Sequence, residues 1–184
     1  MAAAAFIAAG AFIGSMALLG AYERTKREWL GWAESYAFLI LYLALGALVL
    51  GLHADFADAA PVLVWASTIV GVLGVLGCLA GQGATLFCGV PFPRVAVPVT
   101  VAFGGILLWM GGISGATLAD GVLPAGLGWL GVGVVAVAVL IIAVMLRDPA
   151  LVRGDRMPTA AEMVVAAVPF VAIAAWLAWL GAVL

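Results

Sequence analysis

Glu23-Arg24-Thr25-Lys26-Arg27-Glu28-Trp29 is the first hydrophilic break in an otherwise oily chain, and it holds three of the seven Lys and Arg residues. Upstream of it, residues 3–22 carry no charge at all. Downstream, residues 30–52 carry only Glu34. A short basic turn between two apolar runs of this length is the punctuation of a chain that crosses a membrane and comes back.

The whole composition agrees with that reading. A soluble domain carries about 25% charged residues. This chain of 184 residues has 9%, against 67% hydrophobic, which leaves too few polar side chains to clothe a core. Mean hydropathy is +1.32. Lipid is the alternative solvent, and its hydrocarbon layer of about 30 Å takes roughly 20 apolar residues at 1.5 Å each. Six such runs use up nearly all of the chain: approximately 3–22, 30–52, 61–82, 95–118, 123–146 and 159–184. With no water along a span, each run must satisfy its own backbone, and the helix does this. Continuous apolar runs such as Val132 to Leu146 exclude the alternation of a β-barrel. The expected fold is all-α: one polytopic membrane domain, a six-transmembrane-helix bundle.

Orientation follows from charge. Counted alternately, the opening stretch, the Arg94 connector and the Arg147–Arg156 loop share one side, and they contain all seven Lys and Arg residues. The termini, the His53–Asp58 break and the Ala119-Asp120-Gly121 turn contain none. Short loops rich in Lys and Arg stay cytoplasmic. The expectation is a multi-pass protein of the cell (inner) membrane with basic loops cytoplasmic and both termini outside. The first span lacks the charged front and polar cleavage region of a secretory signal, so it is expected to be retained. Trp29 and Trp32 at the entrance of the second span, and Trp176 and Trp179 at the far end of the sixth, read as headgroup-level anchors. Arginine outnumbers lysine six to one amid abundant Ala, Val and Gly, a composition that reads as prokaryotic and GC-rich.

The third span carries the clearest polar pattern. At 100° per residue, Ser67, Gly71, Gly74, Cys78, Gly81, Gln82 and Thr85 gather within about a third of the helix circumference. Two readings stand side by side. The stripe lines a polar pathway for a small neutral solute, or its small residues let a neighbouring helix approach, as in Gly77-x-x-x-Gly81 and Gly111-x-x-x-Gly115. In the first span Gly10, Gly14, Ala17 and Ala21 share a face. The apolar connector from Gly83 to Pro93 reads as a loop dipping into the interface.

Glu34 is the one intramembrane acid. A carboxylate at the bilayer centre costs about 2.5–3.5 kcal/mol on insertion scales, which makes it a functional candidate. It lies only about 7.5 Å of helix beyond Trp29, so pairing with a basic loop residue is enough to explain it. Glu162 stands three residues after Thr159, the spacing of a capping box, and Pro169 is expected to kink the sixth span.

Gly112-Ile113-Ser114-Gly115 resembles the nucleophile motif of rhomboid intramembrane proteases. That chemistry needs a histidine base in the sixth span, and the single histidine, His53, falls in an outer break. The same count excludes a bis-histidine haem site. His53 with Asp55 and Asp58 reads as an ordinary exposed loop rather than a metal site. Cys78 reads as a packing residue and Cys88 as a reduced cytoplasmic thiol. No catalytic residue, cofactor or metal site is expected, and nothing points to nucleic acid.

Phe12-Ile13-Gly14-Ser15-Met16-Ala17-Leu18-Leu19-Gly20 in the first span, Arg147-Asp148 after the fifth, and Glu162 followed by Val164-Val165 and Pro169 in the sixth are similar to segments of the bacterial urea/amide channel family. Six spans, short loops and outside termini resemble it too. The family's aromatic third-span signature, Phe-Gly-Phe-Thr-Tyr-Leu-Tyr, is absent here. The resemblance implies passive permeation of a small neutral solute, urea or an amide, through the bilayer, and the Gly-rich seams leave room for a homo-oligomer. The competing reading is a non-catalytic accessory or assembly subunit of a larger membrane complex; an enzyme is not expected.

Overall fold

The computed structural model describes residues 1–58, 60–145, 147–148 and 160–184, with backbone alone at 92–93, 142–145 and 160–167. Thr159, Arg153 and Arg156, and the side chain of Glu162, lie outside this description, and the expected capping box with them. The described residues form six helices and no strand: α1 (Ala2–Thr25), α2 (Glu28–Phe56), α3 (Pro61–Cys88), α4 (Phe92–Asp120), α5 (Ala125–Met145) and α6 (Ala160–Val183). Four of them, α1 to α4, are long and apolar enough to cross a membrane. The apolar parts described for the other two, Ala125–Ile141 and Val168–Val183, are shorter.

Each helix packs on the next in chain order, and α6 returns to α1, so the bundle is a closed ring. Neighbours run antiparallel. Along α3 and α4, for example, Ser67 meets Gly112, Gly71 meets Trp109, Gly74 meets Ile106 and Gly81 meets Val99. On the closing edge, Phe12 stacks near Phe170 while Gly181 faces Phe6 and Ala5. An antiparallel ring brings Arg24, Lys26, Arg27, Arg94 and Arg147 to one end, called here the basic end. His53, Asp55, Asp58 and Asp120 sit at the other.

The stops are local chemistry. α1 ends where Lys26 takes a left-handed conformation (φ 53°), its N–H returning to the Tyr22 carbonyl at 2.6 Å. Arg27 is extended, and α2 starts at once. α3 runs through Gly83, where a loop was expected. No proline interrupts 83–88, and the first residue that readily turns left-handed is Gly89 (φ 66°). The Val90 N–H then bonds the Ala84 carbonyl at 3.1 Å, closing a Schellman-type cap. Likewise α2 continues to Phe56, so His53 is helical and not in a loop. It shares a 3.2 Å hydrogen bond with Thr68 Oγ1 on α3 and packs edge-on to Trp65.

The inward stripe of each helix is apolar, and so is the outward one. Leu43, Leu50, Leu73, Val101, Leu140 and Val171 are all exposed. Helices apolar all round are either core helices of a large protein or membrane helices, and α1 to α4 have the length and hydropathy of the second kind. Exposed indoles mark both ends: Trp29 and Trp32 at the basic end, Trp65, Trp129 and Trp179 at the other. Trp176 does not join them. It is 1% exposed, and its Nε1–H donates to the Leu127 carbonyl on α5 at 3.2 Å.

The tightest seam is α3 on α4. A Cβ on Gly74 would stand 2.5 Å from the Ala102 carbonyl oxygen, and one on Gly105 would stand 2.9 Å from that of Val70. Backbone meets backbone there, so nothing flexible can yield. Gly10, by contrast, has nothing within 4 Å of such an atom. Gly74→Ala is therefore expected to destabilise the purified protein by about 1–3 kcal/mol through overpacking. Gly10→Ala should leave it unchanged or slightly firmer, since alanine is the better helix former. Thermal unfolding in detergent reads both; equal shifts would contradict the seam.

Candidate functional site

Inside the ring, at the basic end, lies a cavity of about 550 Å³ to which all six helices contribute side chains. It is walled by aliphatic and aromatic groups, among them Phe12, Phe38, Phe103 and Phe170, and edged by polar ones: Tyr22, Glu23, Glu34, Ser35, Tyr42, Gln82, Thr85 and Thr100. Along α2 it runs from Glu34 to Tyr42, about 12 Å of helix axis, so it reaches the middle of that helix.

The floor is Phe12, Phe103, Leu107 and Ile173. These four also line a void of about 10 Å³ below, together with Leu41, Leu45, Trp109, Trp176 and others. A space of that size holds at most one water, and an apolar lining leaves it dry. Trp109 and Trp176 meet edge to face here, ring centres 6.2 Å apart. Beneath them Leu48, Leu52, Ile113 and Leu180 are fully buried. The cavity thus lies toward the basic end, and the interior beyond its floor is packed.

The third-span stripe divides between two surroundings. Ser67, Gly71, Gly74 and Gly81 lie against α4 at close range. Cys78 is buried, its thiol donating to the Val99 carbonyl on α4 at 3.7 Å. Gln82 and Thr85, one turn further on, line the cavity. Gln82 also ties α3 to α2, its Nε2 donating to the Ser35 carbonyl at 3.3 Å. Thr85 and Thr100 donate back to their own helices, to Gly81 and Ala96. Their hydroxyl oxygens keep lone pairs for an occupant.

Glu34 lines the cavity, and its carboxylate makes no hydrogen bond or ion pair among the described residues. The pairing with a basic-loop residue that the sequence allowed is not seen among the described residues. Lys26 pairs with Glu23, one turn back on α1, and lies 5.5 Å from the centre of the Tyr22 ring. Geometry explains the choice: three residues separate Glu23 from Lys26 on one helical face. No Lys, Arg or His side chain is among the described cavity-lining residues.

Sequence reasoning missed the aromatic contributions of α1, α4 and α6. Phe12 and Phe170 lie 5.7 Å apart across the ring closure, and Phe38 stacks on Tyr42 at 5.9 Å. Which apolar face turns inward is not encoded where both faces are apolar. Pro98 and Pro169 lie inside α4 and α6, each without the N–H that would bond the carbonyl four residues earlier.

The remaining candidates stand apart from the cavity. Ser114 of the Gly-Ile-Ser-Gly motif is 1% exposed, and its hydroxyl and the Trp109 Nε1–H have no hydrogen-bond partner among the described residues. His53 is engaged with Thr68, so no base stands ready for this serine. Asp55 and Asp58 are exposed at the far end, and no cluster of three or more His, Cys, Asp or Glu is found among the described residues.

The two cysteines give a direct check. Cys88 is exposed and Cys78 is fully buried. A maleimide reagent is expected to modify Cys88 in the native protein and Cys78 only after denaturation. Rapid native labelling of both would contradict the packing described for α3.

No family model matches the chain, and neither the curated proteins nor the solved structures contain a match to it.

Proposed function

We propose that this chain is a six-span protein of the cell membrane that lets a small neutral solute of the urea or amide class permeate passively. Its basic loops face the cytoplasm and its termini face outside. The observation that supports this reading is the cavity, enclosed by all six helices in the axis of a closed ring. A protein whose only task was to pack against partners has no need of such a space. Apolar walls with a few hydroxyl and amide groups suit a solute that exchanges water for a small set of donors and acceptors. The Phe12, Phe103, Leu107, Ile173 floor and the Trp109–Trp176 contact then form the barrier, and passage requires them to part. In this reading the bundle is in a closed form whose cavity faces the cytoplasm.

Reconstitution tests this directly. Vesicles containing the protein should swell faster than protein-free vesicles in inward gradients of urea, acetamide or glycerol. Thr85→Trp, which puts a large side chain into the cavity, should return the rate close to the protein-free value. Identical swelling with and without the wild-type protein would rule the reading out.

A further inference from the structure

The cavity has a charge character that permeation of a neutral solute does not use. Two carboxylates, Glu23 and Glu34, are among its described lining residues, and no cationic side chain is among them. Glu23 already holds Lys26. Glu34 holds nothing among the described residues. It stands partly buried on α2 at the cavity wall, followed one and two turns deeper by Phe38 and Tyr42, whose rings stack. Phe12, Phe103 and Phe170 complete an aromatic lining on the facing helices. A volume of about 550 Å³ lies in the range of sites for drug-sized molecules, about 300–1,000 Å³. It far exceeds what urea or a short amide fills.

An uncompensated carboxylate in a half-desolvated, aromatic-walled space is the chemistry that holds an organic cation. The carboxylate supplies the counter-charge, at a site where low dielectric strengthens the attraction. The ring quadrupoles add cation–π attraction, and the apolar walls bury the hydrocarbon that accompanies the charge. A metal ion is a poor fit, because Glu34 is the one unpaired carboxylate among the described lining residues and hard cations need several oxygens. An anion would meet net negative charge. We propose that the cavity is a binding site for a lipophilic organic monocation, with Glu34 as its counter-ion and Phe12, Phe38, Tyr42 and Phe170 as its walls. Such an occupant sits across the route to the floor and blocks it. The proposal does not rest on permeation, since binding is measured with no gradient and no flux.

Tetraphenylphosphonium and tetraphenylborate, ions of nearly the same shape and opposite charge, are the probes. Equilibrium dialysis against the full-length protein in nanodiscs, with empty nanodiscs subtracted, gives the binding of each. Saturable binding of the phosphonium, at one site per chain, and none of the borate is expected. Glu34→Gln should weaken phosphonium binding by at least about tenfold, while Glu34→Asp keeps most of it and Glu23→Gln changes it little. Monodisperse elution of each variant shows that the fold is kept. Equal saturable binding of both ions would overturn the proposal, as would unchanged affinity in a well-folded Glu34→Gln protein or the absence of saturable phosphonium binding. Urea flux measured on the same preparations separates this result from the permeation reading, because each can fail while the other holds.

Discussion

Every feature of this molecule depends on what surrounds it. A helix pays no backbone penalty in hydrocarbon because its N–H and C=O groups bond one another, and a chain with 9% charged residues has no other solvent in which its outer surface is stable. The outward Leu, Val and Ile side chains are exposed in the isolated chain, at a density that water would not tolerate. Once lipid takes that role, burial of apolar area no longer drives helix against helix. Close packing and interhelical hydrogen bonds must do so instead.

The ring shows both at work, unevenly distributed. From Ser67 to Gly81, α3 lies so near α4 that the seam admits no added methyl group at Gly71, Gly74 or Gly81 without a shift. Polar ties fasten α2 to α3 at both ends, His53 to Thr68 and Gln82 to Ser35. Such bonds contribute about 0.6–2 kcal/mol in a bilayer. Towards the basic end this closeness is lost. The glycine seam stops at Gly81, Pro98 and Pro169 enter α4 and α6, and large rings from α1, α2 and α6 meet across a space they do not fill. The cavity and the tight seam are two halves of one design, with Cys78 and Tyr42 at the boundary.

Much of the architecture was legible in the sequence because it follows from length and charge. Apolar runs of 20-odd residues give helices, and the basic stretch at 23–29 gives the first hairpin. Helix ends were less legible. The Gly83–Cys88 segment reads as a connector by its glycine and its nearness to Pro91 and Pro93, yet a glycine inside a long apolar helix costs only about 1 kcal/mol. The true stop needed the left-handed Gly89. Trp176 looks like an interfacial anchor by position, and only the ring closure shows that it turns inward to Leu127. The stripe on α3 was visible as a pattern, but not its division into an α4-facing part and a cavity-facing part. Helical periodicity says which residues share a face; it does not say where along the axis the neighbour moves away. Glu34 was visible as an acid, but not that it would line a cavity while Lys26 closed locally onto Glu23.

The central claim is that lipid solvates an antiparallel ring whose positive charges gather on one membrane face. A membrane-impermeant maleimide applied to intact cells tests it most directly, with single cysteines placed at Asp58, Asp120, Arg24 and Arg147 in a Cys88→Ser background. The account predicts labelling at positions 58 and 120 in intact cells, and at 24 and 147 only after permeabilisation. Labelling of positions 58 and 147 from the same side would contradict it.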